Sequence, residues 1–226
     1  FIKKERRYLM DFKNSALVVV DVNRIHFDVE RNLLPVSQED ADRVIKNVSE
    51  VVIPAFRKHD RPIIFITTAH KHNPLTGQPM CLNNPLWNYQ YHHKTVTGVG
   101  HKRKLAGGPG SEDVEIMPQM GVQPTDYVVV KQRYSPFIAT DLELAVRCMG
   151  IDTFFVVGGN TNNCVLSTCF EAYNRDIAVV LLEDCCASMN GKKYHDFAIE
   201  QIRASLGWIS SSDKVEGLLS GKETLY

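Results

Sequence analysis

Three side chains able to run an acyl transfer stand at comparable places in the chain. Cys164 lies in the stretch VVGGNTNNCVLSTCFEA, residues 156–172, just past paired glycines and at the mouth of a helical pattern. Asp21 closes the apolar run ALVVVD, and Lys131 closes DYVVVK. A thiolate is a strong nucleophile, and both a helix N-terminus and a nearby ammonium favour its charged form. A carboxylate beside it takes the thiol proton and later hands it to a leaving amine, a general base turned general acid. Gly158 and Gly159 let the backbone turn sharply and approach a ligand, so that the N–H groups of Asn160 and Cys164 aim at one point in the manner of an oxyanion hole. The side chains of Asn160, Thr161 and Asn162 are equally natural helix caps. Taken singly, Asp21 reads as a turn residue, Lys131 as a solvated cation and Cys164 as packing. Their joint placement is what points to chemistry.

The elements that must position them are legible as alternating runs. ALVVVD (16–21), PIIFITT (62–68), DYVVVK (126–131), DTFFVVG (152–158) and IAVVLLED (177–184) are β-branched, of strand length, and apolar on both faces, as buried parallel strands are. A sixth strand is expected at WIS (208–210). Between them lie patterns with apolar residues three and four apart, at 37–60, 140–150, 162–176 and 193–207. Ser37 with Asp40 and Thr140 with Glu143 have the spacing of capping boxes. Repeated βαβ units predict a three-layer αβα sandwich around a parallel sheet with right-handed crossovers, formed as one domain over residues 1–226. Ligands bind such sheets outside the carboxyl ends of the strands, which is where all three side chains emerge. The segment from about 69 to 120 has little periodicity and is rich in Pro, Gly, Asn and His. A connection that long is expected to act as a lid, a substrate wall or an oligomer contact.

Composition excludes several functions. Lys plus Arg and Asp plus Glu number 26 each, so no basic excess attracts nucleic acid and no polybasic block holds a membrane surface. No apolar run approaches bilayer length, and FIKKERRYLMDFKNS lacks the apolar core of a secretory signal, so a cytoplasmic protein is expected. The six cysteines form no CxxC pair and are expected to be reduced thiols. Adjacent Cys185 and Cys186 are poorly placed for a mutual bridge, and Cys169 is expected to pack in the core. GGPGSEDVEIMP (107–118) follows no strand and lacks the Lys-Ser/Thr of a phosphate loop.

Asp21 after ALVVV, Lys131 in KQRYSPFIATDLE, and GGNTNNCV followed by EAYNRDIAVVLLEDCCAS resemble the isochorismatase-like cysteine hydrolases, over roughly residues 15–210. The resemblance implies a six-stranded parallel sheet of order 3-2-1-4-5-6, homodimers or homotetramers, an Asp21, Lys131 and Cys164 triad, and a cis peptide between Gly159 and Asn160. It implies a substrate pocket in which Asn23 stands where many relatives have Gln, Phe27 keeps an aromatic position, and Gly159 opens room that relatives fill with Val or Ile. Ser135 and Phe137 resemble pocket residues of relatives, Arg133 and Thr161 flank the motifs, and His70 sits at a strand end. Tyr134 reads as a polar loop residue. A Gly and Ile-x-Pro segment like the one at 107–118 shapes the pocket wall in relatives.

Nicotinamidases, one branch, hold a metal through an Asp-x-His; here TTAHKH offers Thr68 in place of that Asp. No metal and no cofactor is therefore expected, and His70, His72, His92 and His93 read as hydrogen-bonding or subunit-contact residues. The Asn in the nucleophile motif and LLEDCCAS resemble the ureide branch: biuret and triuret hydrolases, ureidoacrylate hydrolases and N-carbamoylsarcosine amidases. The expected activity is a cysteine amidohydrolase that releases ammonia or an amine from a small amide or ureide through a thioester. A nicotinamidase-like deamidase and a binding protein on the same fold are the alternatives. A cysteine at 164 argues against the vinyl-ether hydrolysis of isochorismatases proper.

Overall fold

Apolar alternation along each strand sends successive side chains to opposite faces, and the sheet divides its core accordingly. The computed structural model describes residues 11–93, 104–105 and 107–225. Residues 1–10 and 94–103, on which part of the leader and long-segment expectations fall, lie outside the described residues. Six strands, β1 (Ser15–Val20), β2 (Ile63–Thr68), β3 (Tyr127–Lys131), β4 (Thr153–Gly159), β5 (Ala178–Ala187) and β6 (Trp208–Ser210), pair in parallel in the order 3-2-1-4-5-6. The helices are α1 (Arg24–Phe27), α2 (Gln38–Lys46), α3 (Ile53–Lys58), α4 (Pro85–His93), α5 (Leu142–Cys148), α6 (Leu166–Tyr173), α7 (Lys192–Ser205) and α8 (Val215–Leu219).

Leu17, Val19, Phe65, Phe155 and Val157 face α2, α3 and α8 in one buried cluster. Val18, Val20, Ile64, Phe154 and Val156 face α5, α6 and α7 in the other. This is the expected three-layer arrangement. The strand β3 departs from expectation: Val128 is 45% and Val130 43% exposed, because β3 lies at the sheet edge and only its other face is covered.

Helix chemistry explains two further details. Ser37 Oγ accepts from the Asp40 N–H at 3.1 Å, so the first capping box holds the start of α2. The second does not form. Thr140 Oγ1 instead accepts from Leu142 N and donates to the Pro136 carbonyl, while Glu143 pairs with Arg147 and Arg175. The run predicted as one helix over 37–60 continues from α2 to α3 through a wider π-helical stretch, Asn47–Val52, just before Pro54. Proline has no N–H to offer the ladder, and widening the turn accommodates the loss.

The last strand before the site's far wall is irregular. Val156 lies opposite Leu181 but Gly158 opposite Cys186, so two residues of β4 span five of β5. Such a bulge bends and lengthens the strand that carries it. Asp184 within it is anchored by Asn47 and by Ser212, and Arg43 donates to the carbonyls of Asp184 and Cys186. Cys185 and Cys186 point into opposite core clusters, Cys169 packs beside Cys186, and all six cysteines are free. Among the described residues no helix is long and apolar enough to cross a membrane.

Candidate active site

Sheet order alone brings the chemistry together. The ends of β3, β2 and β1 deliver Lys131, Thr68 and Asp21 side by side, and the turn after β4 brings Cys164 to them. Thr68 and Lys131 are register partners, and Asp21 hangs from β2 by its N–H on the Ile66 carbonyl at 2.8 Å. Asp21 holds φ at +49°, a left-handed conformation that Asp tolerates better than most residues. Asp21 and Lys131 are fully buried, and Cys164 is 5% exposed.

The Lys131 ammonium lies 2.8 Å from Asp21 Oδ2, and donates to Thr68 Oγ1 at 2.6 Å, the Arg133 carbonyl at 3.1 Å and Cys164 Sγ at 3.2 Å. Its three N–H bonds thus have three acceptors, and the carboxylate in ion contact holds the charge from a fourth side. Thr68 Oγ1 passes its own hydrogen to Asp21 Oδ1 at 2.9 Å. Burial pushes the Cys164 thiol up to about 12, against the pull of Lys131 and with the further push of Asp21. Burial also works against the Lys131 charge, but Asp21 and Cys164 hold it up to about 12. The site thus holds protons tightly on both the sulfur and the Lys131 nitrogen. Lys131 lowers the thiol as expected, through its charge and its hydrogen bond, and desolvation outweighs that pull.

The turn that presents the sulfur is fixed by contacts other than caps. The peptide between Gly159 and Asn160 is cis. Gly158 has φ +115°, and a Cβ there would meet the Val20 carbonyl oxygen at 2.0 Å. The close approach that demands glycine is thus to β1, where a ligand was expected. Asn160, Thr161 and Asn162 make no side-chain cap. Asn160 Oδ1 accepts from Met189 N at 2.6 Å, Thr161 Oγ1 meets His195 Nδ1 at 2.9 Å, and Asn162 bonds Ser188 and Asn190. Asn160 and Asn162 thereby tie the turn that carries Cys164 to the segment after β5, and Thr161 ties it to α7.

Cys164 and Lys131 open on a cavity of about 70 Å³, room for a small molecule. Of the residues expected around it, His70, Arg133 and Asn160 line it. Five do not. Phe27 is buried with its ring 3.2 Å from where a Gly159 Cβ would stand, so the room at Gly159 is already filled by Phe27. Asn23 is buried and donates to Thr67 at 3.2 Å. Ser135 Oγ accepts from Phe137 N within its own turn, and Phe137 packs on Phe154 and under Arg175. Thr161 faces His195. None of 107–118 reaches the cavity; that segment instead bridges to Asn23 through Ile116 and accepts the Thr67 hydroxyl at the Val114 carbonyl.

The lining that sequence reasoning missed is Trp87 on α4, Lys104, Tyr134, His26 on α1, Asn163, and Met189 and Asn190 after β5. Tyr134, read as a loop residue, stacks edge-on with Trp87 at 5.6 Å, and Trp87 with His70 at 5.3 Å. His26 Nδ1 lies 2.8 Å from the Leu34 carbonyl and must donate to it, which turns Nε2 toward the Asn160 amide at 3.3 Å. His26 alone had a sequence signal, being five residues past a strand-end Asp.

The metal arrangement of nicotinamidases does not fit these donors. Thr68 occupies the carboxylate position and is held between Asp21 and Lys131, and among the described residues no three His, Cys, Asp or Glu side chains come together.

Comparison with known proteins agrees with this fold. The family described as Isochorismatase domain matches residues 15–214. A ureidoacrylate amidohydrolase, RutB, of Variovorax paradoxus is 32% identical over 208 residues, covering 88% of this chain and 79% of that protein. A cysteine hydrolase from Pseudomonas syringae pv. phaseolicola superposes with a TM-score of 0.75 at 17% identity, covering 96% of this chain and 97% of that one. N-carbamoylsarcosine amidase from Thermoplasma acidophilum superposes with a TM-score of 0.67 at 24% identity, covering 92% of this chain and all of that one (100%).

Proposed function

Because the chain belongs to the isochorismatase family, we propose that it is a cysteine amidohydrolase acting on a C–N bond of a small amide or ureide. The observation that carries this reading is the buried constellation of Asp21, Lys131 and Cys164, with Lys131 2.8 Å from the carboxylate and 3.2 Å from the sulfur. The similarity to a ureidoacrylate amidohydrolase supports a ureide substrate.

In this reading Asp21 removes the Cys164 proton as the sulfur attacks the carbonyl carbon. Displacing water from the cavity on binding leaves Lys131 as the charge nearest the forming thiolate, so the proton moves when substrate is in place. The backbone N–H groups of Asn160 and Cys164 receive the oxyanion. Asp21 then protonates the departing nitrogen, the C–N bond breaks, and ammonia or an amine leaves behind a thioester, a thiocarbamate when the substrate is a ureide. Water, deprotonated by the same carboxylate, cleaves the C–S bond, and the proton returns to sulfur. The chemistry needs no cofactor, and the assembly this reading favours is a homodimer or homotetramer.

Ammonia release from biuret, triuret, N-carbamoyl amino acids, ureidoacrylate and nicotinamide, measured for the native chain and for Cys164→Ser, tests the proposal. Turnover of at least one by the native chain and none by the variant is expected, with a covalent adduct on Cys164 seen by intact-mass measurement. Turnover that survives in Cys164→Ser rules the mechanism out.

A further inference from the structure

Three cations border the cavity, Lys104, Lys131 and Arg133, while among the described residues no Asp or Glu does. The Lys131 charge is balanced by Asp21 directly behind it at 2.8 Å. The other two have no such balance. Lys104 Nζ donates to the Asn32 carbonyl, and Arg133 Nη1 donates to the Gln132 carbonyl at 2.8 Å. Both acceptors are neutral, and neither cation forms an ion pair among the described residues, although the chain as a whole has zero net charge. Two uncompensated positive charges in a partly dry pocket create a local potential that favours an anion.

Position narrows the anion's place on the substrate. The Arg133 carbonyl lies 3.1 Å from the ammonium that touches Cys164, so the guanidinium springs from backbone already beside the reacting sulfur. Its remaining N–H groups form the planar fork that pairs with a carboxylate. Trp87 and Tyr134, packed edge-on, add an aromatic surface to the same cavity.

We propose that the pocket selects a short ureido or amido acid, with Arg133 and Lys104 recognising a carboxylate a few bonds from the scissile carbonyl, over neutral ureides such as biuret and triuret. This rests on the reading of the site as an amidohydrolase and assigns Arg133 and Lys104 as specificity-determining residues.

The test compares N-carbamoylglycine with N-carbamoylglycinamide, which differ only in the carboxylate. The acid is expected to show kcat/KM at least about tenfold higher, carried mainly in KM, and Arg133→Met is expected to bring the two within about threefold of each other. Arg133→Lys keeps part of the preference if charge is what matters. Equal or reversed preference in the native chain overturns the proposal. So does an Arg133→Met variant that weakens both substrates alike, which is the mark of a structural role. If neither compound is cleaved, calorimetric affinities on Cys164→Ser decide separately: tighter binding of the acid by about tenfold supports carboxylate recognition, and equal or absent binding overturns it.

Discussion

The burial of the Cys164 thiol beside Lys131 and Asp21 has measurable consequences at the scale of single residues. With the thiol pushed up to about 12 by burial, iodoacetamide labelling of the free protein at Cys164 is expected to be slow at pH 7 and to climb steadily above pH 9, read by peptide mass mapping. A plateau near neutral pH would contradict the resting state described above. The same shift makes stability fall with alkali. Cys164 and Lys131 both hold their protons more tightly folded than unfolded, so their contribution is complete below the ordinary thiol value of 9.0 and is lost as pH rises through about 12. A fall in Tm of roughly 2–4 °C per pH unit is expected from Cys164 within that window, and Cys164→Ala should lessen the slope without abolishing it, since burial also pushes up the thiols of Cys169, Cys185 and Cys186. Asp21→Asn leaves a buried ammonium without its counter-ion. It should abolish turnover and cost about 3–5 kcal/mol in urea unfolding.

At the scale of elements, the β4 turn is fixed by two glycines with different jobs. Gly158→Ala drives a Cβ to 2.0 Å from the Val20 carbonyl at φ +115°, and a loss above about 3 kcal/mol is expected in chemical denaturation. A Cβ at Gly159 presses on the end of the Phe27 ring at 3.2 Å and makes ordinary contact with the Ala187 carbonyl at 3.6 Å, so Phe27→Leu should recover part of the stability lost in Gly159→Val. A double-mutant cycle is expected to show coupling of about 1 kcal/mol or more, and additive effects would mean the two do not share that space. These pairings also show where sequence was legible. Strands announce themselves by β-branched runs, and the residues that close them were found correctly because a strand end is a place in the pattern. Gly159 was read as open space because nothing in its neighbourhood reveals that Phe27, on a four-residue helix far back in the chain, folds into it. The helix α4 was missed since PLWNYQYHH has no apolar stripe of helical period, yet it carries Trp87 to the cavity.

For the whole molecule, the sheet order, the two core layers and the meeting of three distant side chains were all readable, because each follows from parallel βαβ connections. The cavity wall was not. Its residues come from the irregular segments that follow each of the first five strands, where side-chain direction is set by tertiary contacts and no period records it. Thiol accessibility offers a global check: Cys148 is exposed and the other five cysteines are buried. One thiol is therefore expected to react quickly with a disulfide dye in the native state and all six in denaturant, with Tm indifferent to reductant. The irregular β5 bears on how such a pocket can change. The surplus residues between Leu181 and Cys186 set how far Met189 and Asn190 travel toward the sulfur. A strand's spare length thus works as a spacer, and shortening or extending it would retract or advance the floor under a substrate while the reacting groups stayed where they are.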